Sequence, residues 1–191
     1  LSWTEPVPDT SLALIAEAAL PRDAAILDIG GGASRLAAGL LRRGYSDVTV
    51  ADISAEALER AKAELGDAAR EVTWVEADAR SHDFGRRFDL WHDRAVFHFM
   101  VAAADRDGYL AVLDRALRPG GHLILATFGP HGPSECSGLP VCRYDAEAIS
   151  QALGADFKLI SSRLEDHRTP SGGVQQYLYA HLERRASARP R

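Results

Sequence analysis

The stretch "ILDIGGGAS" (26–34) decides how this chain is read. An apolar run contains Asp28, three glycines follow at 30–32, and a helix-like segment begins. Glycine carries no Cβ and accepts backbone conformations that other residues resist, so such a turn lets a ligand approach the main chain. Between a strand and a helix, a turn of this kind usually holds a nucleotide-like molecule.

Working outward, the pattern alternates. Residues 10–20 read as a helix capped by Asp9 or Thr10, and 24–29 as a short buried strand. A helix over 33–43 stops at Gly44, with Arg42 and Arg43 in its last turn. "DVTVAD" (47–52) reads as a strand, and Ser54 caps the helix "AEALERAKAEL" (55–65). Strands are expected at 71–78, 87–93 and 122–128, and helices at 105–117 and 145–153, with "RPGG" (118–121) as a turn between elements. Two closing strands, 157–165 and 173–183, are joined near "TPSGG" as an antiparallel pair at one edge. The early strands are continuously apolar, which predicts a mostly parallel sheet covered on both faces. The fold class is therefore α/β, Rossmann-like and doubly wound. In such sheets ligands sit at the carboxyl ends of the strands, near the point where strand order reverses.

Bulk properties narrow the classes. The 191 residues suit one domain, 1–191, with 1–9 as an arm or lid carrying Trp3 and 184–191 as a flexible basic tail. The net charge of −5 gives no footprint for gripping a phosphate backbone, so no nucleic-acid partner is expected. No apolar run approaches membrane-spanning length, and no membrane partner is expected. The chain begins with Leu rather than Met, so its natural start is expected upstream, and no signal-peptide pattern opens it. Two cysteines, Cys136 and Cys142, are too few for a secreted disulfide scaffold, which makes a reducing cytoplasm the default. With His131 they form H-x4-C-x5-C, which lacks the tight spacing of a zinc site, and no metal is expected.

Four carboxylates fall at strand ends: Asp28, Asp52, Asp78 and Asp93. Asp52 follows Gly30 by 22 residues, where a carboxylate accepts hydrogen bonds from ribose hydroxyls. A dinucleotide turn would place glycine at the sixth position from Gly30, but Arg35 stands there. Asp28 beside the turn would repel a pyrophosphate and welcome a cation. A ligand with ribose, adenine and a positive end satisfies both conditions. Asp52 and Asp78 also have a plainer reading, as helix caps or solvated surface groups, and Asp28 as an acceptor for loop amides.

Over roughly residues 12–182 the chain resembles the class I S-adenosylmethionine (SAM)-dependent methyltransferases. "LDIGGGAS", "VADIS", "EADAR", "FDLWHDRAVFHF" and "LRPGGHLIL" occur in the family's order and at its intervals. Ser34 replaces the last glycine of the usual turn, while Gly30 and Gly32 are kept. The resemblance implies a seven-stranded sheet with an antiparallel edge strand and helices on both faces. It also implies SAM as cofactor and methyl transfer by in-line displacement. It places Asp28 and Gly30–Gly32 at the turn, Asp52 on the ribose, Ile53 against adenine, Asp78 and Ala79 at the adenine edge, and Asp93 near the methionine end.

The acceptor side is sought after the fourth strand and in the loop 129–143, which shows no helix or strand pattern. His98 is a candidate general base facing the acceptor, or else a packed residue between Phe97 and Phe99. Arg94 is a candidate for an anionic substrate, or else pairs with Asp89 or Asp93. A small-molecule acceptor is expected, handled by a monomer or weak dimer. A protein-lysine methyltransferase and a non-catalytic SAM-binding module are the competing readings.

Overall fold

The computed structural model describes residues 8–169 and 172–186. Its centre is a seven-stranded sheet in the order β3-β2-β1-β4-β5-β9-β8. The strands are β1 (Ala25–Ile29), β2 (Asp47–Asp52), β3 (Val72–Glu76), β4 (Phe88–Arg94), β5 (Leu117–Phe128), β8 (Phe157–Arg168) and β9 (Val174–Arg184). A separate two-residue hairpin pairs β6 (Glu135–Cys136) with β7 (Leu139–Pro140). The pairs among β1 to β5 are parallel, and β9 runs antiparallel to both of its neighbours, β5 and β8. The mixed seven-stranded α/β sheet with a closing antiparallel edge pair is thus as expected from the sequence.

Alternation within the central strands builds two cores. Ile26, Val48, Val50, Leu90 and Ile124 face a layer holding α1 (Asp9–Glu17), α2 (Leu36–Arg42) and α3 (Ala55–Leu65). Leu27, Ile29, Trp91, Leu123 and Leu125 face α4 (Ala103–Ala116) and α5 (Ala146–Leu153). Every residue of β1 is buried. Local chemistry marks the helix starts: the Ser54 hydroxyl accepts from Ala57 N at 3.2 Å and the Asp145 carboxylate from Ala148 N at 2.8 Å. Among the described residues no helix is long and apolar enough to cross a membrane.

Four expectations about local structure change. The "RPGG" segment is not a turn between elements but an irregular part of β5. Phe88 pairs with Leu117 and Leu90 already with His122, so the intervening residues bulge out, with Gly120 at φ 76°. The start of the expected 33–43 helix is a 3-10 turn at Gly31–Ala33, and α2 begins at Leu36. The loop 129–143 contains the β6–β7 hairpin. Arg184, expected to open a flexible tail, is instead the last residue of β9, donates to the Leu117 carbonyl and pairs with Asp114. Of the expected arm or lid 1–9, residues 1–7, Trp3 included, lie outside the described residues, and Asp9 already begins α1.

One polar seam crosses the α1 face. Asp28 on β1 and His92 on β4 are register partners, and their side chains meet at 2.7 Å. The other ring nitrogen of His92 is 2.8 Å from the Ser11 hydroxyl on α1. All three residues are buried, so the chain of contacts pins α1 to the centre of the sheet. Replacing His92 by alanine removes the one side-chain partner that Asp28 has among the described residues. The expected result is a loss of about 3 kcal/mol, read from urea unfolding.

Candidate functional site

A cavity of about 600 Å³ opens at the carboxyl ends of β1 to β4. It lies where β1 has β2 on one side and β4 on the other, the point at which strand order reverses. Its size is within the range of small-ligand sites. From β1 and the turn come Ile29 and Gly30; from the end of β2, Asp52 and Ile53; after β3, Ala77, Asp78, Ala79 and Arg80. From the end of β4 comes Arg94, and beyond it Ala95, Val96, Phe99, Met100 and Val101, with Asp105 at the start of α4. The hairpin contributes Cys136, Ser137, Leu139 and Pro140.

The three glycines are small for different reasons. Gly30 lines the cavity at φ 69°, and its N–H donates to the Ala51 carbonyl at 2.7 Å. A Cβ there would overlap Val96, so the turn and the segment after β4 touch through this missing side chain. Gly31 and Gly32 do not line the cavity. A Cβ on Gly31 would strike the Asp28 carboxylate, and one on Gly32 would lie 2.7 Å from Ala57 Cβ.

Asp52 ties the turn to β2. One carboxylate oxygen accepts from Gly32 N at 3.0 Å and the other from Ser54 N at 2.8 Å. Both oxygens still have acceptor capacity. Ile53 is next to it, 65% exposed and on the cavity wall, where it offers an apolar surface. Asp78 is held by Arg80, whose guanidinium also reaches Asp105 at 2.9 Å. The hydrogen bonds from the Arg80 side chain hold the Asp78 carboxyl below its ordinary value. Ala79 is buried beside it.

Besides Gly31 and Gly32, three more expected site residues are off the cavity wall. Asp28 is buried under the glycine turn, bound to His92, and does not reach the cavity. Asp93 also misses it. Its side chain points to the α4 face and accepts from Val96 N at 2.9 Å, Phe97 N at 3.0 Å and the Tyr109 hydroxyl at 2.7 Å. It therefore shapes the segment after β4, where Ala95 takes φ 72°. His98 is buried against the rings of Phe99 and Phe128, at 4.6 and 4.7 Å, and is not on the cavity wall. Burial, with a smaller contribution from the Arg94 charge, lowers its pKa to about 3. A neutral, enclosed imidazole does not face the acceptor as a base; the packed alternative describes it. Arg94 does line the cavity, and it pairs with neither Asp89 nor Asp93: its Nε donates to the Tyr179 hydroxyl at 3.1 Å and its guanidinium lies 4.6 Å from the Tyr177 ring centre.

Sequence reasoning did not single out Arg80, Asp105, Phe99, Met100 or Val101 as wall, whereas the loop 129–143, sought for the acceptor side, does supply Cys136, Ser137, Leu139 and Pro140. The Arg80–Asp105 contact joins positions 25 apart, and no local pattern announces it.

The surface fits an adenosyl ligand. The backbone is bare at Gly30, a half-buried carboxylate stands at the end of β2, and an exposed apolar side chain follows it. The sequence profile of the family described as "methyltransferase domain" matches residues 26–121, half of the chain. The chain belongs to this methyltransferase-domain family, and its fold is that of the class I SAM-dependent enzymes. It is 38% identical over 116 residues to the biotin biosynthesis bifunctional protein BioCD of Bordetella avium. It is 33% identical over 106 residues to the malonyl-[acyl-carrier protein] O-methyltransferase of Anoxybacillus flavithermus. Those matches cover 59% and 54% of this chain but only 23% and 39% of the two relatives. Among solved structures it is similar to the 1,6-didemethyltoxoflavin-N1-methyltransferase of Burkholderia thailandensis, with bound 1,6-didemethyltoxoflavin and S-adenosylhomocysteine. That likeness has a TM-score of 0.73 and 24% identity, covering 93% of this chain and 77% of the other.

Two measurements test the geometry. Gly30→Ala introduces a Cβ into a left-handed position already filled by Val96. Binding of S-adenosylhomocysteine should weaken at least tenfold in calorimetry, with about 1–2 kcal/mol of stability lost. For Asp93, burial raises the pKa from 3.8 to about 6. The folded state then holds the proton more tightly than the unfolded chain, so this contribution to stability is present below about pH 4 and is lost as pH rises towards 6. Asp93→Asn should flatten that part of the urea-midpoint profile relative to wild type, whatever its absolute stability.

Proposed function

We propose that the protein transfers a methyl group from SAM to a small-molecule acceptor bound in the same cavity. The observation that carries this reading is the continuity of the cavity. It runs from Asp52 and Ile53 past Gly30 to an apolar end closed by Phe99, Met100 and the hairpin. When bound, SAM supplies an electrophilic methyl on sulfur, and the electron pair of the broken C–S bond returns to sulfur to leave S-adenosylhomocysteine. Asp52 would hold the ribose hydroxyls, Ile53 and Ala79 would flank the adenine, and Asp78 would stand at its edge. Gly30 would let the ligand lie against the main chain.

The chain's own contribution is alignment and exclusion of water. Aligning two reactants supplies roughly 7–11 kcal/mol in favourable cases. The wall formed by Val96, Phe99 and Met100 keeps the acceptor in a dry environment. A small acceptor is supported by the size of the cavity and by the resemblance to an enzyme holding 1,6-didemethyltoxoflavin. The malonyl-[acyl-carrier protein] relative supports an oxygen acceptor as one option. The net charge of −5 speaks against a nucleic-acid backbone as partner; work in the cytoplasm, as a monomer or weak dimer and without a membrane partner, belongs to the same proposal.

Calorimetry with S-adenosylhomocysteine and a product assay across small acceptors test this reading. Micromolar or tighter binding with turnover of at least one acceptor is expected. Binding without any product would leave a SAM-holding module. Methylated lysine in peptides from a treated lysate, with no small-molecule product, would favour a protein substrate.

A further inference from the structure

At the end of the cavity reached after β3, three charged side chains of the wall are joined in a row. Asp78 Oδ1 accepts from the Arg80 main-chain N at 2.9 Å and from its Nε at 3.0 Å, and Oδ2 accepts from Nη2 at 2.7 Å. Nη1 of the same guanidinium turns the other way and donates to Asp105, in the first turn of α4, at 2.9 Å. The turn that carries Asp78 is itself tied down, because the Asp78 carbonyl accepts from Ser81 N at 3.1 Å and His82 N at 3.0 Å. Loop and helix also approach closely at Gly108, where a Cβ would lie 2.7 Å from the Arg80 carbonyl. Arg80 thus bridges the loop after β3 and the helix after β4, and it holds both oxygens of Asp78. All three side chains of the bridge are partly exposed, so their pairing contributes little to folding. What it fixes is the shape of the wall.

We propose that Arg80 determines which base the cofactor slot takes: by bridging Asp78 to Asp105 it closes the slot at the 6-position of the purine and aims the Asp78 carboxylate at an unsubstituted 6-amino group. The inference rests on the methyltransferase reading above and deepens its cofactor site. An ionised carboxylate accepts hydrogen bonds and donates none. It therefore pairs with an amino N–H and repels the carbonyl oxygen of a 6-oxo purine. Hydrogen bonds from the Arg80 side chain keep Asp78 in that ionised form. They also balance its charge, which suits the neutral amino group of a base. A substituent on the amino nitrogen would have to enter the space that the bridge crosses. Arg80 acts on the base through Asp78, so it is a positioning residue.

The experiment compares the full chain with its Arg80→Ala, Arg80→Lys and Asp105→Asn variants. Calorimetry measures binding of S-adenosylhomocysteine, of its 6-oxo analogue S-inosylhomocysteine, and of S-adenosylhomocysteine carrying a benzyl group on the 6-amino nitrogen. Urea unfolding checks each fold. Wild type should prefer S-adenosylhomocysteine to either analogue by about 100-fold. Arg80→Ala should bind S-adenosylhomocysteine about tenfold more weakly, with a urea midpoint close to wild type. The same variant should bind the benzyl analogue more tightly than wild type does, a gain that general damage to the fold does not produce. Arg80→Lys keeps a charge but lacks the planar fork that reaches both carboxylates, and its selectivity should fall between the two. Asp105→Asn leaves Asp78 paired with Arg80 and loosens the far end of the bridge. It should relax selectivity in the same direction by a smaller factor, and it decides the matter if Arg80→Ala folds poorly. Unchanged selectivity in Arg80→Ala and Asp105→Asn, an equal loss of affinity for all three ligands, or a wild type that accepts the benzyl analogue as readily as S-adenosylhomocysteine would each overturn the proposal while leaving the cofactor site standing. Failure of wild type to bind S-adenosylhomocysteine would overturn the methyltransferase reading and this proposal together.

Discussion

The parallel seam between β1 and β4 is the constraint on which the rest of the molecule depends. Strand order reverses there, so the segments leaving the two strands diverge and open a space between them. The seam is secured at two levels. Within the sheet, Asp28 and His92 meet side by side and engage Ser11, which locks α1 onto the same face. Above the sheet, the bare backbone of Gly30 accepts Val96. Both contacts hold the floor of the cavity at a fixed width.

Four aspartates at strand ends show how environment divides one residue type into separate roles. Asp28 and Asp93 lie on opposite faces of the sheet and are fully enclosed. Asp28 serves the α1 face, while Asp93 gathers two backbone N–H groups and a tyrosine hydroxyl to shape the loop after β4. Asp52 and Asp78 reach the cavity. Even there the two differ, because Asp52 is bound by main-chain donors and Asp78 by a guanidinium. A carboxylate held by amides keeps its charge available to a ligand, whereas Arg80 already balances Asp78 and Asp105. The electrostatic character of the cavity thus changes along its length, from acidic and compensated to apolar with Arg94.

The order of buried strands and capped helices was legible in the chain because it depends on local properties. Continuous apolar runs, Ser54 and Asp145 as caps, and the glycine turn act within a few residues. Where such signals competed with pairing, pairing won. "RPGG" reads as a turn, yet β4 recruits its flanks into one strand and leaves the rest as a bulge. The two-residue hairpin at 135–140 is too short to carry a periodic pattern, so the sequence shows it as loop.

The sequence by itself determined the α/β class, the place of the ligand turn, and the positions of Asp52, Ile53, Asp78 and Ala79 at strand ends. These follow from spacing along the chain. The direction in which each side chain points was decided by tertiary structure. Within β4, neighbouring residues alternate between faces, so His92 meets Asp28 and Ser11 while Asp93 meets Tyr109. Arg94, one residue on, reaches the cavity. His98 follows in a short 3-10 turn that folds its ring against Phe128, which removes it from the wall. Strand alternation is visible in a sequence, but which layer covers each face, and which loop residues end beneath it, depends on contacts between segments far apart in the chain.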